Sequence, residues 1–491
     1  MRKFLGLAGG LTIVVAASMT PRLSFGRVEE QALGVEELSH TELKGFSPTD
    51  PVILSDGTVV IQADGNFRHS KEEKVYFFAQ DGRALTKFRA RTTGSGYFSR
   101  IAPLADGHTV AQESDDGMYR LYNSKGPLFE STLQLPSQEG QLAGTVKTFP
   151  VRLAGGTIAA GGEHDVVFLN ADGSERNRPD GTRAAFSTTA LIRFAAETSP
   201  GTLLIGSGDK LSLVSSDGVV KKEILVDADS RLLRAGDTSV LPDGSFLLAG
   251  ASGITLHDAD GVALAQIQHE SVAGALDPVA ARMGDGTVAI APVRDGGSRF
   301  LIFLKPDGTF RKKVELEPTT SGASLLAMKD GRALVVNRFV RPEKSWLASL
   351  TNSATTPNEA RPSAKMRVFD SSGTMLWERR PRENALSEPI QLSDGTLVVA
   401  SDSGLNFLTP GGDLLTTYQP LPCCTFTRKI QGIEYSASAP RQVGDDTIVW
   451  ATERTKTDYS LETDGKGAVS QVRSYSAPVG GAVYFLKLKR S

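Results

Sequence analysis

The stretch "LSDGTVVIQADG", residues 54–65, sets an Asp-Gly pair inside an apolar run that resumes on its far side. The same punctuation returns as "LADGHTVAQ" at 104 and "LPDGSFLLAG" at 241. Aligned on it, turns fall at Gly57, Gly107, Gly156, Gly201, Gly244, Gly286, Gly331 and Gly395, with Asp446 in the equivalent place of "QVGDDTIVW", 42 to 64 residues apart. Such a period constrains the fold more than composition does, because each unit is one supersecondary block that buries its apolar faces only by stacking on its neighbours.

Every unit carries a second turn further on, at Gly82, Gly126, Gly173, Gly218, Gly261, Gly308, Gly373 and Gly412, seventeen residues after the first in the shortest units. Short β-rich runs such as "TVVIQ", "TLLIG" and "TLVVA" lie between turn residues, and Asp-Gly supplies the positive φ that tight hairpins require. Each unit therefore reads as strand A, turn, strand B, loop, strand C, turn, strand D. No segment keeps a 3.6-residue apolar period, so few helices are expected. The predicted fold is all-β: a single β-propeller of nine four-stranded blades, with eight as the alternative should the irregular last unit prove degenerate. The last unit stops within strand C at "AVYFLKLKRS", and "HTELKGF" at 40–46 precedes the first strand A. That N-terminal strand is expected to complete the last blade and close the ring, which removes exposed sheet edges. The expected domain plan is a signal peptide over 1–26, a linker over 27–39 and the propeller over 40–491.

The signal peptide rests on "MRKFLGLAGGLTIVVAASMTPRLSFG", with a basic start at Arg2 and Lys3 and an apolar run shorter than the ~20 residues a spanning helix needs. Cleavage after Ala17 or Gly26 would release a monomeric protein with no integral membrane segment into the periplasm or the extracellular space. With 491 residues, 40% of them hydrophobic, and a net charge of −2, the chain can bury a large core and has no global bias towards nucleic acid.

The pattern "PV-x-L-x-DGT-x-x-x-A … V-x-x-L-D-x-DG" resembles the repeats of bacterial quinoprotein-like β-propellers from about residue 40 to 491. The resemblance implies an exported propeller, in a group many of whose members bind no quinone. In the quinone-dependent alcohol dehydrogenases of that group, a ring formed by adjacent cysteines lies against the cofactor and a Trp-docking motif repeats in most blades. Here only "DSSGTMLW", ending at Trp377, approaches that motif, one residue short, and the chain has three Trp in all.

In such a blade the A–B and C–D turns share one face, while the longer B–C and D–A loops share the other, where function is expected. The largest excess length is the B–C loop of the seventh unit, residues 337–365. Next come the D–A connection of the eighth, "YQPLPCCTFTRKIQGIEYSAS" from Tyr418, and the B–C loop of the ninth from about Glu453. These consecutive additions are expected to form one raised binding patch carrying Arg338, Arg341, Trp346, Arg428, Lys429 and Tyr435, an Arg and aromatic content typical of interfaces. The competing reading is that they are decoration without a role.

Cys423 and Cys424, the only cysteines, lie in the same patch. Adjacent Cα atoms sit ~3.8 Å apart, closer than disulfides prefer, so a bond between them would be strained. A loop-stiffening vicinal disulfide, free thiols and a redox or ligand-contacting role all remain open. The histidines His40, His69, His108, His164, His257 and His269 are scattered without ligand spacing, so no metal site is expected. Neither a nucleophile elbow nor a phosphate loop occurs, no catalytic residue is assigned and no cofactor is expected. The recurrent Asp residues are expected to build turns rather than hold calcium. Arg100, Arg152, Arg193, Arg282 and Arg441 fall near inner strands and could make the channel mouth electropositive. The expected function is an exported, non-enzymatic binding or scaffold protein whose partner is a protein, a glycan or a cell-envelope component. The alternative is a propeller enzyme, either a quinone-dependent dehydrogenase or a hydrolase or lyase of the channel mouth.

Overall fold

The computed structural model describes residues 33–490, apart from 45, 66–72, 90–97, 104–108, 114–118, 131–149, 162–163, 227–237, 251–252, 268–275, 294–299, 317–322, 338–363, 381–385, 402–403, 420–432 and 464–468. Its described residues form strands and turns with no helix. The strands make nine antiparallel sheets. Eight come from one contiguous stretch of chain each, in the order A-B-C-D, and the ninth is assembled from both ends of the described chain. In the first and ninth sheets strand A is broken in two, so Phe46–Pro48 and Val52–Ile53 both pair with the same strand B, as do Ile433–Ala437 and Arg441–Val443.

The alternation of side chains along each strand explains the stacking, because strands B and C are apolar on both faces and must be covered twice. Val335 and Phe369 of the seventh sheet pack on Ala289 and Phe303 of the sixth. One residue along, Val336 and Val368 pack on Leu397 and Val399 of the eighth. The series runs through the ninth sheet back to the first, where Val449, Ala451 and Phe485 meet Val59, Ile61 and Phe78. Cores join the sheets pairwise from the third round through the ninth to the first and second, and the A strands of the second and third sheets are in contact, so the stacking is cyclic, which defines a β-propeller.

Among the described residues the recurring Asp-Gly turns share one backbone hydrogen-bond pattern, closed by a left-handed glycine. At the first, Leu54 N donates to Thr58 O at 2.8 Å and Gly57 N to Leu54 O at 2.9 Å, with Gly57 at φ 81°. Asp56 contributes through its side chain, whose Oδ1 accepts the N–H of Thr58 at 2.9 Å. The same carboxylate-to-backbone bond recurs at Asp285 and Thr287, Asp307 and Thr309, and Asp394 and Thr396, each at 2.9 Å. These aspartates hold turns together by capping the backbone two residues on.

The C–D turn glycine has a second duty, which is to let the turn sit against the preceding sheet. A Cβ on Gly412 would meet the Trp377 ring at 2.9 Å, and one on Gly373 would meet Phe303 at 2.9 Å. Trp377 Nε1 also donates to Pro410 O at 3.2 Å, and Arg379 Nη1 to Gly412 O at 2.8 Å. Gly218, Gly261 and Gly308 likewise lie against the outermost strand of the preceding sheet, at Ala185, Ile224 and Leu264. The third sheet uses an inserted turn for this purpose. Residues 175–183 make an extra hairpin, bridged at Asn177 and Arg183, and Arg178 from it donates to Asp217 O at 2.8 Å and Gly218 O at 3.1 Å.

Two sequence expectations change in the ninth sheet. Strand D there is Leu33–Lys44, paired with the final strand from Leu33↔Arg490 to Lys44↔Gly480. It starts at Leu33 rather than His40, so most of the expected linker's second half is strand, and Phe46 belongs to strand A of the first sheet instead. The reason is the length of the partner: Val469–Arg490 offers an edge long enough for twelve residues, and Leu33 and Val35 bury against the core of the eighth and ninth sheets. The expected B–C loop from Glu453 is not a loop either. Strands B and C, Thr447–Thr463 and Val469–Arg490, stay paired out to Thr463↔Val469.

Candidate functional site

Of the three predicted additions, 338–363 and 420–432 fall outside the described residues, and the ninth unit's is described except for 464–468. Of the residues assigned to the patch, Arg338, Arg341, Trp346, Cys423, Cys424, Arg428 and Lys429 lie outside the described residues. Tyr435 is placed: it sits in Ile433–Ala437, paired opposite Arg454 at the foot of the ninth sheet's extended hairpin. The D–A connection of the eighth unit therefore ends as a strand that props the extension, rather than as a loop beside it.

That extension is the largest described departure from the repeat. Strand B of the eighth sheet is Leu397–Ser401, whereas strand B of the ninth runs on past Thr452 to Thr463. From Thr455↔Pro478 to Thr463↔Val469 the two strands form a ribbon, which at ~3.3 Å per residue reaches roughly 25–30 Å beyond the sheet. Ile433–Ala437 supports it only as far as Lys456. Among the described residues no third strand pairs with the ribbon beyond Lys456, and a two-stranded ribbon by itself is marginal in water.

At the same end of the seventh sheet, polar groups are buried where strands leave for and return from the 337–365 addition. The run "AKMRVF" explains the placement. Met366 and Val368 point towards the eighth sheet, so Lys365 and Arg367 face the sixth together with Phe369. Lys365 is 4% and Arg367 5% exposed, and Asn337, paired opposite Lys365, is 1% exposed. Arg367 Nε donates to Glu378 Oε2 at 2.7 Å, and Arg380 Nε to Glu378 Oε1 at 3.0 Å. Burial opposes ionisation of Glu378, but the bonds from Arg367 and Arg380 outweigh it and hold the carboxyl below its ordinary value. Neither amide atom of Asn337 nor Arg367 Nη1 has a hydrogen-bond partner. The charged alternation in this C strand was readable in the sequence; its burial was not.

A second cluster joins the ring-closing strand to the eighth sheet. Glu37 accepts from the Tyr418 hydroxyl and lies 2.6 Å from His40 Nδ1, and the His40 ring stacks on Tyr484 with centroids 5.8 Å apart. Burial, followed by the bond to Glu37, pushes the Tyr418 hydroxyl above its ordinary value. Tyr484 in turn packs on Trp450, which ties strand D to the body of the ninth sheet. These contacts join segments more than 380 residues apart in sequence and left no local signal.

Of the inner-strand arginines, Arg282 Nε pairs with Asp243 at 2.9 Å, Arg441 lies 3.9 Å from Asp50, Arg193 is exposed and Arg152 Nε is buried without a hydrogen-bond partner, while the Arg100 side chain is not among those described. Among the described residues no group of His, Cys, Asp and Glu could hold a metal ion, and no helix is long and apolar enough to cross a membrane.

Cyclic stacking of four-stranded antiparallel sheets makes this chain a β-propeller. No family model matches it and no curated protein matches it in sequence. Among solved structures it is similar to the C-terminal WD40 domain of Sif2, at 11% identity over 92% of this chain and 97% of that chain, with a TM-score of 0.46. It is also similar to streptogramin B lyase, at 14% identity over 62% of this chain and 94% of that one, TM-score 0.35. A third likeness is to virginiamycin B lyase from Staphylococcus aureus, at 10% identity over 75% and 96%, TM-score 0.38. Values this low carry no functional argument, and the propeller class stands on the sheets themselves.

Proposed function

We propose that this chain is an exported, non-enzymatic propeller that acts as a binding or scaffold module through the B–C face of its seventh to ninth sheets. The observation that carries the reading is the paired arm from Thr455↔Pro478 to Thr463↔Val469. In the fourth sheet strands B and C close directly across Ser207↔Lys210, whereas the ninth carries two strands on into a ribbon too slender to be a core of its own. A polypeptide is the partner that suits it best, because unpaired strand edges are recognised by another strand through main-chain hydrogen bonds. The opposite face supports the assignment by exclusion, since its aspartates are engaged in holding turns. Export rests on the basic and apolar character of residues 1–26.

The test is to replace residues 457–476 by a single Asn-Gly turn. Because the arm lies beyond the sheet, the variant is expected to keep its melting temperature within about 2 °C while losing at least tenfold in affinity for the polypeptide partner isolated with the intact protein. Undiminished affinity would rule out the arm as the binding element.

A further inference from the structure

Long side chains fill the outer part of the space between neighbouring sheets, and the repeat shows where they are missing. On the face turned towards the preceding sheet, the seventh sheet pairs Arg367 of strand C with Glu378 of strand D, 2.7 Å apart. The fourth has Glu223 at that place in strand D, held by Lys210 at 3.5 Å. In the sixth, Lys313 lies 4.4 Å over the Phe300 ring. The fifth sheet instead sets Thr255 opposite Gln266. It has Gly253 where the others have Lys210, Phe300 and Lys365, and Ala263 where they have Val220, Phe310 and Met375. Side chains this short leave a cavity of roughly 470 Å³ between the fourth and fifth sheets, within the ~300–1,000 Å³ of small-molecule sites.

All residues that line the cavity are among those described. Its apolar walls are Leu248 of the fifth sheet and Ile224 and Val226 of the fourth. Thr255, His257 and Gln266 supply polar groups, and among the described residues no Asp, Glu, Lys or Arg lines it. Leu225 and Leu264 also line it while 74% and 41% exposed, so it opens on the outer rim. His257 Nδ1 lies 3.3 Å from the Gly261 carbonyl, which can only accept, so this nitrogen carries the proton. Burial holds the ring below its ordinary 6.5, which leaves Nε2 a bare acceptor at neutral pH.

We propose that the cleft between the fourth and fifth sheets binds an uncharged aromatic alcohol. The hydroxyl donates to His257 Nε2 and accepts from the Gln266 amide, while the flat ring fills the slot between Leu248 and the Ile224 and Val226 wall. A charged ligand would lose its hydration against a lining that offers no counter-ion. The site lies in other sheets than the arm and is independent of it.

Thermal melts of the full-length protein with 2-naphthol test the proposal, with 2-naphthoate and 2-methoxynaphthalene as matched controls. Expected is a saturable rise of about 1–3 °C with 2-naphthol, and a smaller rise or none with either control. Two variants locate it, each borrowing residues that the same register holds in another sheet. Thr255→Arg combined with Gln266→Glu rebuilds the pair of the seventh sheet, and is expected to fold and to abolish the rise. His257→Leu installs the residue type of Leu304 and Leu408, and is expected to reduce the response to 2-naphthol to that of its methyl ether. No rise with 2-naphthol, an equal rise with either control, or a rise undiminished in either variant overturns the proposal.

Discussion

A single glycine can be required for two different reasons, and Gly244 and Gly395 separate them. Both have left-handed backbones, at φ 81° and 93°. A Cβ on Gly395 would find its nearest atom, in Pro410, at 3.5 Å, whereas one on Gly244 would lie 1.4 Å from the carbonyl oxygen of Thr198 in the fourth sheet. Gly395→Val is therefore expected to cost only the strain of its backbone, about 1–3 kcal/mol. Gly244→Val must in addition separate two sheets, and is expected to cost at least about 2 kcal/mol more. Denaturant unfolding of the two variants checks the order, and equal losses would show that the sheets yield at this contact.

At the scale of elements, the decisive one is Leu33–Lys44, which supplies the outermost strand of a sheet whose other strands come from the far end of the chain. Its Leu43 is fully buried, and Leu33 and Val35 pack beside Leu486 and Leu488. Gly82 of the first sheet's C–D turn rests against Ser39 and Phe485, so the strand also forms part of the surface that grips the next turn. Deleting residues 33–44 is expected to lower stability by at least about 3 kcal/mol, through lost apolar burial and an exposed edge. A synthetic peptide of that sequence, added in excess, is expected to raise the melting temperature again by mass action. A deletion that melts like the intact protein would mean the strand contributes little to closure.

At the scale of the whole molecule, the turns give the propeller a defined response to acid. His257 is buried against Phe246, with ring centroids 5.0 Å apart. Burial first, then the charge of Lys222, holds its pKa below the ordinary 6.5, against the opposing pull of the Gly261 carbonyl and Asp258. The unfolded chain then binds the proton more readily, so the neutral ring's contribution is complete above 6.5 and is lost as pH falls through the folded value. The carboxylates follow lower down. Asp330 is held below 3.8 by Arg332, and Asp172 by the Ser174 hydroxyl and backbone N–H. Asp285 and Asp370 are also held below 3.8, where hydrogen bonds outweigh burial. Their contributions are complete above 3.8 and disappear as pH falls through the folded values. Melting temperature is thus expected to fall in two stages between pH 7 and pH 2, with His257→Gln removing the upper one. A flat profile down to pH 4 would contradict the role given to His257.

The repeat, the strands and the Asp-Gly turns were legible because each depends on neighbours within a few residues: an aspartate that caps its own turn and a glycine that takes a positive φ. For the same reason the sequence marked where length is added between strands whose spacing is otherwise regular. What it could not decide was pairing at a distance. The stretch after Glu453 reads as a loop until Val469–Arg490 is laid beside it, and the linker reads as a tail until that same long strand offers it an edge. Lys365 and Arg367 read as ordinary surface cations in an alternating strand, since only a sixth sheet stacked against the seventh can bury them. The sequence by itself determined the unit and its turns, because those energies are local. Tertiary structure alone decided which edges were paired, which strand closed the ring and which polar groups were enclosed, because those energies exist only once sheets far apart in the chain come together.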